Sequence, residues 1–176
     1  MEVLIACEES QRVCAAFRER GHEAYSCDII DQSGGHPEWH IVQDVLPLLN
    51  GNCEFKTTDG IKHKIAGKWD LIIAHPPCTY LSNAGAARLY PKKGVLNKER
   101  YEKGLEAKEF FLRFVNADCD RICVENPVPS TVYKLPKYSQ IVQLHEYGHH
   151  FSKKNVLMDK RIVKTQTYRY CNGKYN

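Results

Sequence analysis

One cysteine stands where a protein can present a nucleophile. Cys78 follows Pro76 and Pro77 directly after the apolar run at 69–74, and small residues dominate positions 82–87. Prolines stiffen the backbone, and a loop of small residues can close over a substrate. This arrangement indicates a catalytic thiol. A structural cysteine beside a tight turn is the alternative interpretation.

A carboxylate follows another apolar run. Glu125 ends the run at 121–125 and is followed by Asn126 and Pro127. Partial burial at such a strand end favours the protonated carboxyl, which can donate a hydrogen bond. A structural carboxylate that accepts hydrogen bonds from the next loop is the alternative interpretation.

The predicted elements explain how these residues could meet. Short apolar runs predict strands at 3–6, 24–27, 41–42, 69–74 and 121–125, with later strands at 140–144 and 155–158. Helical spacing predicts helices over 10–20 and 99–116, the latter with Tyr101, Leu105, Phe111, Leu112 and Val115 on one side. The Asp59-Gly60 pair predicts a hairpin within 53–65, as a surface insertion.

This alternation predicts an α/β fold with a doubly wound, mostly parallel sheet covered by helices. Parallel sheets place their sites at the carboxyl ends of the strands, near the point where strand order reverses. The polar residues at these predicted ends are Glu8, Glu9, Asp28, Asp44, Cys78 and Glu125. They are therefore expected to form one site.

Composition narrows the class of protein. The chain has 176 residues, of which 43% are hydrophobic and 26% charged, which suits one globular domain. No apolar run approaches the roughly 20 residues of a membrane span, and the first residues do not resemble an export signal. A cytoplasmic protein with free thiols is expected from its eight cysteines. Cys119 and Cys123 lack the paired spacing of a zinc site, so no metal is predicted.

Charge is distributed unevenly along the chain. Residues 1–52 carry three Lys/Arg and nine Asp/Glu, whereas residues 153–176 carry seven and one. The basic C-terminal segment, residues 159–176, could contact phosphate groups. A solvated tail is the equally simple alternative.

Two motifs together carry a family resemblance. The segment HPPCTYLSNAG at 75–85 resembles the Pro-Cys motif of cytosine-5 DNA methyltransferases, and VENP at 124–127 resembles their Glu-Asn motif. Over roughly residues 3–158 the chain is similar to short bacteriophage proteins of this methyltransferase type. The shared features include the opening VLIACEES and a late Tyr147-Gly148-His149 followed by Lys153 and Lys154.

The resemblance implies a Rossmann-like, S-adenosylmethionine-dependent methyltransferase fold without a target-recognition domain. It implies that Cys78 adds to carbon 6 of cytosine and that Glu125 contacts ring nitrogen 3 and the exocyclic amine. Carbon 5 would then take a methyl group from S-adenosylmethionine.

The resemblance also assigns the remaining contacts. The implied cofactor contacts are Asp28 with the ribose, Asp44 with the adenine amine, and Pro76. Glu8, together with Glu9, could pair with the methionine ammonium or could instead exclude the cofactor. The implied substrate contacts are Thr79, Ser82 and Asn126. DNA or a cytosine nucleotide is the expected partner, in the host cytoplasm for a phage protein, with a separate recognition subunit as a further partner. Asp28 and Asp44 could instead be helix caps or turn formers.

The sequence departs from the family in several places. No glycine occurs in the segment 7–12, where the family has a glycine-rich cofactor loop, and Thr79 stands where the family has glutamine. The Gln-x-Arg-x-Arg motif has no clean match, and the 51 residues after Glu125 are too few for a recognition domain. Two alternatives therefore stay open. One is a non-catalytic nucleic-acid or nucleotide-binding protein, and the other is a different cysteine-dependent modification of a pyrimidine.

Overall fold

The computed structural model describes residues 1–147, 150 and 154–161. The strands are β1 (Glu2–Ala6), β2 (Glu23–Asp28), β3 (His40–Val42), β4 (Cys53–Lys56), β5 (Lys62–Ile65), β6 (Leu71–Ala74), β7 (Ile122–Pro127), β8 (Gln140–Gln143) and β9 (Lys154–Lys160). The helices are α1 (Arg12–Arg18), α2 (Asn83–Ala86) and α3 (Lys98–Val115). Gly148, His149, Lys153 and the basic residues beyond 161 lie outside the described residues.

Seven strands form one sheet in the order β3-β2-β1-β6-β7-β9-β8. The pairs from β3 through β7 are parallel, and β9 runs antiparallel to both of its neighbours. The predicted α/β class and mostly parallel sheet are confirmed. Strand order reverses between β1 and β6, and the crevice outside such a reversal is where α/β proteins bind ligands.

Helices cover both faces of the sheet. Successive residues of its strands point to opposite faces, and apolar side chains lie on both. Val3 and Ile5 of β1 point to the face that packs against α1, where Cys14 is buried. Leu4 and Ala6 point to the opposite face, in the larger core that includes Phe111 of α3. The edge where β1 and β6 end is therefore held from both sides.

The hairpin of β4 and β5 is more than a surface insertion. Its inner side chains Phe55 and Ile65 are buried in the main core. The Phe55 ring lies 5.0 Å from that of Tyr25 and 6.1 Å from that of Trp69, measured between centroids. The hairpin therefore closes the core at the β2 side of the molecule.

Two predictions differ from the structure in detail. Leu105 of α3 was expected to face the core but is 39% exposed, and Gly104 is buried instead. A Cβ atom at Gly104 would lie 2.1 Å from the Tyr133 ring, so the helix approaches this ring through a residue without a side chain. Strand β7 continues to Pro127 instead of ending at Glu125, because β9 pairs with it along its whole length.

No helix in the described part of the chain is long and apolar enough to span a membrane.

Candidate active site

Cys78 and Glu125 belong to neighbouring strands. Strands β6 and β7 are parallel, with Ala74 opposite Val124. Glu125 is the next residue of β7, and Cys78 lies four positions beyond Ala74, where β6 ends. Both residues are half-buried at the same edge of the sheet. The predicted nucleophile and the predicted acid therefore lie at the same end of two neighbouring strands.

The segment after Cys78 is bonded to the segment after β7. The Asn83 N–H donates to the carbonyl of Val128 at 3.0 Å, and the Ser130 N–H donates to the carbonyl of Leu81 at 2.8 Å. We call residues 78–87 the Cys78 loop. These backbone bonds join the loop to the end of the strand that carries Glu125.

A close approach of backbone atoms fixes the shape of the Cys78 loop. The Ser82 hydroxyl accepts a hydrogen bond from the Gly85 N–H at 3.1 Å and thereby caps α2. A Cβ atom at Gly85 would lie 2.0 Å from the Thr79 carbonyl oxygen, so no side chain fits there. Arg100 of α3 donates to the Gly85 carbonyl at 3.0 Å, and its guanidinium lies 4.8 Å from the Tyr80 ring.

Ser82 and Thr79 were predicted to contact substrate. Ser82 is 7% exposed and its hydroxyl serves as the helix cap, whereas Thr79 is exposed. Asn126 is fully buried, and its side-chain amide donates to the carbonyl of Pro127. Substrate contacts by these three residues stay predictions, with Thr79 the most accessible of them.

A pocket of about 300 Å³ lies at the ends of β1, β2 and β3. It contains both predicted cofactor carboxylates, and its lining residues are Cys7, Cys27, Asp28, Ile29, Gln43, Asp44, Val45, Pro77 and Phe110. Asp28 Oδ1 accepts a hydrogen bond from the Ile29 N–H at 2.7 Å, and Asp44 Oδ1 accepts one from the Leu46 N–H at 3.0 Å. These bonds hold the two carboxylates at the pocket wall.

The rest of the pocket wall is apolar. Ile29 is 77% exposed, and Phe110 reaches the pocket from α3. Burial, with a smaller contribution from the charge of Asp28, raises the pKa of Cys7 to about 12, and the pKa of Cys27 is likewise raised to about 12. Both thiols are therefore neutral near pH 7. The pocket combines apolar side chains with two carboxylates, which suits a ligand with an aromatic ring and hydroxyl or amine donors.

The segment between β1 and α1 reaches left-handed conformations without glycine. The φ angles of Cys7 and Gln11 are 58° and 57°. The Gln11 side chain is 1% exposed, donates to the His36 carbonyl at 2.8 Å and accepts from the His36 N–H at 3.0 Å. A Cβ atom at Gly34 would lie 2.7 Å from the Ser10 carbonyl oxygen. Tertiary contacts therefore impose a backbone path that glycine adopts more readily.

Glu8 caps the first turn of α1. Its Oε1 accepts a hydrogen bond from the Val13 N–H at 2.6 Å, and its Oε2 accepts one from the Cys14 N–H at 3.1 Å. The residue is 6% exposed, and burial raises its pKa despite these hydrogen bonds. Its predicted contact with a cofactor stays a prediction, since both oxygens already have backbone partners.

Sequence reasoning missed several residues of this site. Pro76 was one of the predicted cofactor contacts and is buried, whereas the neighbouring Pro77, which was not predicted, lines the pocket. Ile29 and Phe110 also line the pocket, and Arg100 holds the Cys78 loop. The position of Ile29 directly after a strand-ending acid was a usable signal. The other contacts depend on how α3 crosses the sheet, which no local pattern specifies.

Within the described residues, no group of three or more His, Cys, Asp or Glu side chains could hold a metal ion.

Comparisons with known proteins give a distant structural likeness alone. No protein-family model matches the sequence, and no curated protein matches it. Sixteen solved chains match the fold. One of them is an rRNA methylase from Escherichia coli, with 15% sequence identity and a TM-score of 0.40. The match covers 90% of this chain and 56% of that methylase, so the chain spans little more than half the length of that protein.

Proposed function

We propose that the chain is an S-adenosylmethionine-dependent enzyme that methylates carbon 5 of cytosine, in DNA or in a cytosine nucleotide, through a covalent adduct with Cys78. The observation that carries the proposal is the pairing of β6 with β7, which brings the Pro-Pro-Cys and Glu-Asn-Pro segments to one strand boundary. Either motif alone is common, but their adjacency in space is what a shared reaction requires.

The pocket at the ends of β1–β3 fits the cofactor in its chemistry. Asp28 would accept hydrogen bonds from the ribose hydroxyls, and Asp44 would accept one from the adenine amine. Ile29 and Phe110 offer apolar surface to the adenine ring. When bound, S-adenosylmethionine supplies an electrophilic methyl group. The sheet reverses its strand order beside this pocket, as expected for a nucleoside site in an α/β fold.

The arrangement around α1 argues against a dinucleotide. Folds that hold a pyrophosphate use the free N–H groups of the first helical turn. Here the N–H groups of Val13 and Cys14 donate to the carboxylate of Glu8, which would also repel a phosphate. A ligand with a nucleoside but no phosphate at this position, such as S-adenosylmethionine, agrees with this.

The residues of the Cys78 loop would perform the addition. The Cys78 thiolate forms a bond to carbon 6, and the electron pair of the ring moves toward nitrogen 3. Glu125 would donate a proton or hydrogen bond to nitrogen 3 and accept one from the exocyclic amine, which stabilises the developing charge. After methyl transfer, loss of the carbon 5 proton restores the double bond and releases Cys78.

Covalent trapping tests the proposal. A single-stranded oligonucleotide with one 5-fluorocytosine should form a stable adduct in the presence of S-adenosylmethionine, because fluorine cannot leave as a proton does. Intact-protein mass spectrometry should show the mass of strand plus methyl group, and peptide mapping should locate it at Cys78. Cys78→Ser should abolish the adduct, since an alcohol is a far weaker nucleophile than a thiol. Cys53→Ser, at another half-exposed cysteine, is the matched control and should leave it intact.

The alternative function is that of a non-catalytic nucleic-acid or nucleotide-binding protein. The absence of glycine from the segment 7–12 favours this alternative. Calorimetry with S-adenosylmethionine separates the two functions. Heat of binding that disappears in Asp28→Ala supports the enzyme. No binding near millimolar cofactor, together with no adduct, would leave the rival function in its place.

A further inference from the structure

Three buried polar atoms lack a hydrogen-bond partner in the described part of the chain. They are Nε2 of His75, Oδ1 of Asn126 and Oδ1 of Asn155. His75 follows β6, Asn126 lies near the end of β7, and Asn155 of β9 is opposite Pro127 of β7. All three lie near the ends of the strands that carry Cys78 and Glu125, but Asn126 follows Glu125 in β7 and so points to the opposite face. A buried polar atom without a partner costs free energy, so the unpartnered nitrogen of His75 points to a polar ligand.

His75 is the member of this cluster nearest in the chain to Cys78. Its N–H donates to the carbonyl of Ala6 at 2.9 Å, so the backbone of β6 still follows β1 at this position. The β6–β7 register ends at the Ala74–Val124 pair, and one further step along both chains gives His75 and Glu125. Since residues opposite one another in a sheet point to the same face, continuation of this register puts the His75 and Glu125 side chains on one face.

The His75 ring is neutral near pH 7, because burial lowers its pKa. A neutral imidazole carries one N–H and can donate one hydrogen bond. When a thiolate adds to carbon 6 of cytosine, the charge on nitrogen 3 is shared with the neighbouring carbonyl oxygen at carbon 2. Glu125 is assigned to nitrogen 3 and the amine, which leaves this oxygen without a donor.

We propose that the Nε2–H of His75 donates a hydrogen bond to the carbon 2 oxygen of the bound cytosine. The proposal rests on the function proposed above and adds a residue to it. His75 would act together with Glu125 on the same polar edge of the base. Its unpartnered nitrogen in the free protein is the atom that the base would satisfy.

Two substitutions separate this role from a structural one. His75→Gln keeps an N–H donor at the position of Nε2, whereas His75→Phe keeps the ring shape and removes it. Trapping of the 5-fluorocytosine strand should slow by about 100-fold in His75→Phe, the typical effect of losing a donor to a developing oxyanion. It should slow much less in His75→Gln. The melting temperature of His75→Phe should not fall, since an unsatisfied buried group has been removed.

His22→Gln is the matched control, because His22 precedes β2 at the opposite end of the sheet. It should change neither trapping nor stability. Equal trapping by His75→Phe and the wild type would overturn the role of His75 while leaving the proposed methyl transfer intact.

A binding measurement in the Cys78→Ser protein makes the two failures distinguishable. The 15N signal of His75 Nε2 should shift when a short single strand with one cytosine is added. The same strand with an abasic site in place of cytosine should leave it unchanged. A strand that does not bind, or that binds without moving the signal, overturns the proposal for His75. Adduct formation by the wild type tests the proposed function separately.

Discussion

Two halves of the site treat their polar side chains differently. In the half proposed to bind the cofactor, formed by Glu8, Asp28 and Asp44, every carboxylate accepts hydrogen bonds from backbone N–H groups of the chain itself. In the half proposed to bind the base, formed by His75 and Asn155, each side chain has a buried atom without a partner among the described residues. A pocket with prepositioned carboxylates and side chains with unpartnered atoms thus lie at the same end of the sheet.

The two halves therefore differ in how far their side chains must rearrange when a ligand binds. The carboxylates of the cofactor half are fixed before a ligand arrives, so binding there requires little ordering of side chains. The half proposed to bind the base is expected to gain hydrogen bonds when a polar ring enters. We therefore expect substitutions in the base half to affect the reaction, and those in the cofactor half to affect binding or folding.

The largest expected effect is that of Gly85→Ala on trapping. The new Cβ atom would overlap the Thr79 carbonyl oxygen, so the Cys78 loop must shift. A displacement of about 1 Å can slow a reaction about 100-fold. Single-turnover adduct formation measures this, with Ala84→Gly on the exposed side of α2 as the control. Unchanged trapping in Gly85→Ala would show that the loop geometry does not position Cys78.

A smaller effect is expected from Asp28→Asn on cofactor affinity. The asparagine oxygen can still accept the Ile29 N–H, so the local turn should persist. Loss of the charge should weaken S-adenosylmethionine binding about tenfold, the equivalent of about 1.4 kcal/mol. Calorimetry measures the change. An unchanged affinity in Asp28→Asn would contradict the assignment of Asp28 to the ribose.

Glu8→Ala should reduce stability by about 1–2 kcal/mol, because it removes the cap of α1. Urea denaturation measures this loss.

Glu8→Gln tests the ionisation of the same group. Burial raises the folded-state pKa of Glu8, so the stability linked to its protonation is present at acid pH and lost as the pH rises through that pKa. The wild type should therefore gain stability relative to Glu8→Gln as the pH falls from 7 toward 4. A constant difference would contradict the raised pKa.

The smallest expected effect is a difference in stability between two variants at position 11. Gln11→Ala and Gln11→Gly both remove the hydrogen bonds to His36, but only alanine keeps a Cβ atom at a φ of 57°. The glycine variant should be the more stable by about 1 kcal/mol in denaturation experiments. An alanine variant that matches or exceeds it would show that this segment relaxes when the side chain is removed.

The sheet could be predicted from the sequence because apolar runs are local patterns, whereas the catalytic roles of Cys78 and Glu125 stay predictions. Apolar runs located every parallel strand, and the acids followed the strands whose ends form the pocket. The backbone of residues 7–11 could not be predicted, because its left-handed turns are imposed by Gly34 and His36 rather than by glycine. Gly104 and Gly85 are likewise required because a side chain there would overlap the Tyr133 ring or the Thr79 carbonyl oxygen. The sequence alone does not show either contact.

The burial of the thiols has a practical consequence for labelling. The pKa of Cys7, Cys14 and Cys27 is raised to about 12, and that of Cys123 to about 11. At neutral pH these groups contain almost no thiolate, the form that alkylating reagents attack. Burial likewise raises the pKa of Cys119, which is 1% exposed, whereas Cys78 is half-exposed. In a protein whose Cys53 and Cys171 are replaced by serine, a fluorescent maleimide should therefore mark Cys78 selectively and report the arrival of a base by its emission.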